Sequence, residues 1–252
     1  MRQIHWPITI TAVIFVMAQL DIQYVDVYSG FLILVALFVT LLIQGSRRYP
    51  SPIGVVLILL SVLPLVRLIS LGTSPLFLGS LGYTGVVEGS LLLACVVATV
   101  VMPEIRGKAI LGWRCSWWDM PSVLSGVVAG WMESTWLLVQ PLAAATSLGS
   151  LALPIGMLLL AAFAEEWFTR GLLFSGLRVA VGPWAAIAYT ALYGVIMLVS
   201  WASPMELVFG LVLGLGWGYL RYRGASVWGL TVGHAASNIV LFLVLPSVHG
   251  IL

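Results

Sequence analysis

Between Ile53 and Leu71 only one side chain, Arg67, carries a charge, and apolar runs of this kind recur along the chain. A helix needs about 20 mainly apolar residues to cross the hydrocarbon core of a bilayer, and no segment alternates as a barrel strand would. Inside lipid every backbone N–H and C=O must be satisfied within the segment, which leaves helices. Only 8% of the residues are charged and 61% are hydrophobic, against about 25% charged in an average soluble domain. The expected fold is all-α, a polytopic transmembrane bundle of about eight or nine helices.

Breaks rich in Pro, Gly and polar residues divide the apolar runs at about residues 7–20, 27–44, 53–71, 86–102, 122–140, 151–177, 183–200, 204–221 and 226–246. The first run follows Arg2 but offers no small-residue cleavage site, so it is expected to stay as a helix. If all nine cross with the amino terminus inside, the inside segments hold Arg2, Arg47, Arg48, Arg106, Lys108, Arg114, Arg178, Arg221 and Arg223. Arg67 and Arg170 fall within helices, and the outside loops carry Asp21 and Asp26 instead. That separation is the positive-inside pattern. It predicts a cytoplasmic amino terminus and an outside carboxyl terminus; the expected location of this multi-pass protein is a bacterial or archaeal plasma membrane.

Other features read as structural. Trp113, Trp117 and Trp118 beside Arg106, Lys108 and Arg114 suit a segment lying at the headgroups. Gly210, Gly214 and Gly218 repeat at helical spacing and predict close helix packing. Cys95 and Cys115 are expected to be reduced. Pro64 and Pro154 are expected to kink or start their helices. Arg67 is expected to pair with Glu133 or Glu88.

Chemistry concentrates in the last four helices. Glu165 and Glu166 interrupt an apolar run, and an intramembrane carboxylate is costly enough to be a functional-site hypothesis by default. Arg170 lies one turn after Glu166 and is positioned as its counter-ion. His234 and Asn238 share one face of the last helix. At about 1.5 Å per residue, His234 lies roughly 12 Å and Glu165 roughly 18 Å from the inner ends of their helices. The two therefore fit one cavity, reachable from the inside.

The order of these motifs, EEWFTRGLLF, GPWAAIAYTALYGVIM and GLVLGLGWGYLRYRGASVWGLTVGHAASN, resembles the core of the CPBP intramembrane proteases. That family includes the type II CAAX prenyl endopeptidases and bacteriocin-processing or immunity proteins. The resemblance spans about residues 113–246 and suggests two parts, amino-terminal transmembrane helices at 1–102 and a CPBP-like core at 103–252. The family pattern Glu-Glu-x-x-x-Arg is met by Glu165, Glu166 and Arg170, and His-x-x-x-Asn by His234 and Asn238. The middle pattern, Phe-x-x-x-His, is not met: Tyr193 takes the aromatic position and Met197 stands where the His belongs.

The resemblance implies an endopeptidase that cleaves a membrane-associated peptide or protein. Glu165 would activate water as the base, Glu166 would be its charge and orienting partner, and His234 with Asn238 would stabilise the oxyanion. With Met197 unable to donate a hydrogen bond, water positioning falls to Glu165 and Glu166, or to Tyr193 or Tyr189. The substitution also admits a non-catalytic relative, a pseudoprotease, immunity or scaffold protein. No cofactor is expected, the alternative being a divalent metal such as zinc on Glu165, Glu166 and His234. The expected partners are the bilayer and a membrane-associated substrate, with no nucleic acid. Zinc-metalloprotease and rhomboid motifs are missing, and no inverted repeat supports a transporter.

Overall fold

The computed structural model describes residues 5–73, 75–103, 115–136, 148–197 and 203–245. Among them all regular structure is helical. The chain forms α1 (His5–Tyr24), α2 (Val27–Arg48), α3 (Pro52–Gly72), α4 (Pro75–Val101) and α5 (Asp119–Ser134). The rod α6 covers residues 148–181 and changes character along its length: Leu148–Glu166 is α-helical, Trp167–Leu173 is π-helical, and Phe174–Val181 returns to α. Then come α7 (Pro183–Ile196), α8 (Pro204–Arg223) and α9, which is Val227–Ile239 with a π-helical end at Val240–Val244. The all-α bundle expected from the apolar runs is therefore present. Six of these helices, α1 to α4, α6 and α9, are long and apolar enough to cross a membrane, and α7 is apolar but shorter.

Side chains set several of the starts. Asp26 accepts from the Ser29 N–H at the head of α2, and Ser51 followed by Pro52 opens α3. Ser203 and Glu206 form a reciprocal capping box on α8. Between α6 and α7 the chain turns through Gly182, whose φ of 91° lies where a side chain would be strained, and Pro183 starts the next helix. The expected start of the fourth helix at 86 is corrected: α4 begins at Pro75 and is interrupted at Gly79, where φ is 68°. Glycines and Ser80 made this stretch resemble a loop. Pro64 and Pro154 both lie inside their helices.

The basic helix ends gather at one end of the bundle. Gly54 at the start of α3 abuts the Arg48 backbone, and Gly176 near the end of α6 faces Val56 on α3. Arg223 at the end of α8 lies 4.5 Å over the Trp118 ring. Arg106, Lys108, Trp113 and Arg114, expected in a headgroup segment, lie outside the described residues, as do Arg2 and His249. Helices from both parts of the chain share one apolar core, running from Ile8 and Leu34 through Val56 and Leu60 to Phe168, Leu172 and Tyr193. Arg67 corrects its expectation, because the hydrogen bonds it makes within this core go to Gln19 at 2.9 Å and Ser70 at 3.0 Å, not to Glu133 or Glu88.

Two parallel helices, α5 and α9, approach most closely. A Cβ added to Gly126 would stand 1.9 Å from the Gly233 carbonyl oxygen, and one on Gly130 would stand 2.4 Å from that of Ser237. Asp119 ties the two helices at their starts, accepting from the Ser226 N–H at 2.7 Å and hydroxyl at 3.0 Å. On α8, Gly214 and Gly218 pack on Ala191 and Ile187 as their spacing predicts, whereas Gly210 lines a cavity. We expect Gly126→Ala to force α5 and α9 apart at a cost of about 1–3 kcal/mol, as overpacking does elsewhere. Thermal unfolding in detergent should show a clear drop for Gly126→Ala and none for Gly216→Ala, where an added Cβ meets nothing within 4 Å.

Candidate active site

A cavity of about 470 Å³ opens between α5, α6, α7, α8 and α9. Glu165, Glu166, Arg170, His234 and Asn238 all line it, so the residues singled out in the sequence are brought together. The two carboxylates differ in exposure. The Glu166 side chain is 0% exposed, whereas that of Glu165 is 43% exposed and faces open space.

Glu166 is held from two sides. Arg170 Nη1 lies 3.5 Å from Glu166 Oε1, and His234 Nδ1 lies 3.1 Å from the same oxygen. The other nitrogen of the ring, Nε2, stands 3.8 Å from Glu165 Oε2. His234 thus spans the carboxylate pair, one nitrogen on the buried acid and one toward the open one. Trp217 packs against the imidazole at 5.2 Å between ring centres and donates its Nε1–H to Ser125 Oγ at 3.0 Å. Asn238, one turn beyond His234, adds an amide to the cavity wall.

Local backbone geometry places these groups. The π-helical stretch starts immediately after Glu166, and such wider turns are frequent at functional sites. Within it the Thr169 hydroxyl donates back to the Glu165 carbonyl at 2.6 Å and accepts from Arg170 Nη1 at 2.7 Å. Arg170 Nη2 donates to the Gly214 carbonyl at 3.5 Å, and Arg221 Nε donates to the Arg170 carbonyl at 3.1 Å.

The second motif is arranged differently. The cavity is lined by Gly194 and Val195 of α7, and Met197 packs instead against the apolar core. Tyr193 is buried and donates its hydroxyl to the Ile8 carbonyl at 2.7 Å. The Tyr189 hydroxyl lies 2.9 Å from Thr9 Oγ1 and 3.4 Å from His5 Nδ1. Both tyrosines are therefore engaged by α1, and neither lines the cavity.

The lining of the cavity is spread along the helices. From the Glu pair it extends toward the helix ends that carry Glu133, Glu206 and Phe242, away from Arg178, Arg221 and Arg223. Arg170, Trp217 and the Arg221 contact occupy its other end. Glu206, Trp217 and Ser237 were missed as lining residues, and Glu133 was assigned to an ion pair. Glu206 lay within the apolar run at 204–221 and was not singled out.

The donors do not fit a three-ligand zinc site. Among the described residues no three His, Cys, Asp or Glu side chains converge on one point, and Glu166 Oε1 is already committed to Arg170 and His234.

Comparison with known proteins agrees with the motif reading. No curated protein and no solved structure matches the chain. A family model, Type II CAAX prenyl endopeptidase Rce1-like, matches residues 147–240, which contain both Glu residues, Arg170, His234 and Asn238. Residues 147–240 are therefore similar to the type II CAAX prenyl endopeptidase Rce1-like family, in agreement with the motifs.

Proposed function

We propose that the protein is an intramembrane endopeptidase acting on a membrane-associated peptide or protein. The observation that supports this reading is the division of labour within the carboxylate pair: Glu165 is open to the cavity while Glu166 is fully buried between Arg170 and His234. An open carboxylate can take a proton from water, and a clamped one can fix the orientation of its neighbours.

In this reading Glu165 removes a proton from a water molecule whose oxygen attacks the scissile carbonyl carbon. Electron density moves onto the carbonyl oxygen, where His234 Nε2–H and the Asn238 amide donate hydrogen bonds. As the tetrahedral intermediate collapses, the C–N bond breaks and Glu165 returns the proton to the leaving amine. His234 acts as an imidazolium, its Nδ1–H on Glu166 and its Nε2–H toward the cavity. Glu165 and Glu166 together then balance Arg170 and His234, and the cluster is neutral overall. The reaction draws on side chains of the core at 103–252, with the helices of 1–102 as its brace. The amino terminus is read as cytoplasmic and the carboxyl terminus as outside, from the placement of the basic residues.

Met197 favours a second reading, a non-catalytic relative that keeps the cavity without turnover. Comparing new protein termini in membranes that contain the wild type or Glu165→Ala at equal levels separates the two. We expect termini present only with the wild type; identical sets from two folded proteins would leave the non-catalytic reading. Met197→His is expected to change cleavage by less than about twofold, because Met197 packs in the core and the reading assigns it no catalytic hydrogen bond. A gain well beyond this would show that the site is degraded at that position. Arg170→Met should destabilise the fold by about 3–5 kcal/mol by leaving Glu166 buried against a lost partner. Adding Glu166→Gln should recover much of that loss in thermal unfolding, while cleavage stays low.

A further inference from the structure

The cavity holds more carboxyl groups than the proposed reaction uses. Four carboxylates, Glu133, Glu165, Glu166 and Glu206, line it together with one guanidinium, Arg170, and one imidazole, His234. Arg170 and His234 are engaged with the Glu165 and Glu166 pair. Glu133 and Glu206 have no ion-pair partner among the described residues, and the neighbouring segments 137–147 and 198–202 contain no Lys or Arg. Glu206 uses one oxygen to cap α8 by accepting from the Ser203 N–H. At the floor of the same cavity Glu166 Oε2 is fully buried and has no hydrogen-bond partner among the described residues. The wall and the floor both offer acceptors for a donor that the described residues do not supply.

Helix contacts give the spacing. Gly130 abuts Ser237, so Glu133 stands about 9 Å beyond the level of His234 at 1.5 Å per residue. Arg170 reaches the Gly214 carbonyl, and Glu206 precedes Gly214 by two turns, or about 12 Å. An extended peptide covers about 3.3–3.6 Å per residue, so these distances correspond to about two to four residues.

We propose that Glu133 and Glu206 receive the cationic side chain of a Lys or Arg residue of the substrate, about two to four residues from the bond that is cleaved. The assignment rests on the endopeptidase reading for the position of that bond, and on the cavity for the rest. A cationic residue there gains charge-assisted hydrogen bonds away from bulk water. The segment enters from the end of the bundle opposite the basic helix ends.

Binding tests this without turnover. The probes are acetylated, amidated apolar peptides, each with one lysine or its uncharged isostere norleucine at a scanned position. They are titrated onto the full chain carrying Glu165→Gln in lipid nanodiscs. At one position the lysine peptide should bind about tenfold more tightly than its isostere, as expected for charge-assisted contacts. Glu133→Gln with Glu206→Gln should abolish that difference and leave the norleucine affinity unchanged, which reports an intact cavity; Gln also preserves the capping box. Glu133→Lys with Glu206→Lys should shift preference to glutamate peptides. Equal affinities, a lysine preference that survives both substitutions, or no lysine peptide binding would overturn the assignment. Cleavage of the same peptides by the wild type keeps the two readings apart. Lysine preference without cleavage retains the cation site and removes the endopeptidase reading; cleavage without lysine preference does the reverse.

Discussion

A carboxylate surrounded by helices in an apolar bundle has to be neutralised from within, and Glu166 is where that requirement is met. The side chain is wholly buried, with Arg170 of its own helix on one side and His234 of α9 on the other. Arg170 in turn reaches the Gly214 carbonyl on α8, and its own carbonyl accepts from Arg221. One buried charge therefore joins α6, α8 and α9, three of the helices that enclose the cavity. Breaking such a cluster at one member leaves an uncompensated charge, so its members depend on one another more than separate contacts would.

The imidazole is positioned by three independent constraints. Gly126 and Gly130 let α5 come into backbone contact with α9 on either side of His234, and Asp119 fixes the relative start of the two helices. Trp217 covers the ring, and Glu166 holds Nδ1. A group held by backbone, aromatic and charged neighbours together has little freedom to reorient, which is the condition a catalytic donor needs. The same constraints leave the Glu165 side chain partly open to the cavity.

How much of this was legible in the sequence follows from what each residue was read against. Glu165, Glu166 and Arg170 stood out because their surroundings are apolar, and helical spacing alone placed Arg170 beside Glu166. His234 and Asn238 were legible for the same reason. Glu133 was visible as an intramembrane charge but was given to Arg67, since one-dimensional spacing does not say which helices are neighbours; Gln19 and Ser70 supply those contacts instead. Glu206 was not singled out, because it falls in the first turn of the apolar run at 204–221. The first turns of α4 were hidden by Gly79, Gly82 and Gly85, which belong to loops more often than to helices, and only packing overrides that local preference.

Met197 shows the same limit of motif reading. Read along the chain, it stands at the position where the resemblance puts a histidine. In three dimensions the end of α7 offers Gly194 and Val195 to the cavity, while Tyr193 and Met197 face the apolar core and α1. Tyr193 spends its hydroxyl on the Ile8 carbonyl, so this helix is anchored to the amino-terminal helices by the residue that precedes Met197 by one turn. A helix held in that rotation cannot aim position 197 at Glu165 without releasing a buried hydroxyl, at a cost of about 1–3 kcal/mol. The missing histidine and the Tyr193 anchor are thus two parts of one arrangement. Under the proposed reading, α7 serves as a wall, and the polar chemistry is left to α6 and α9.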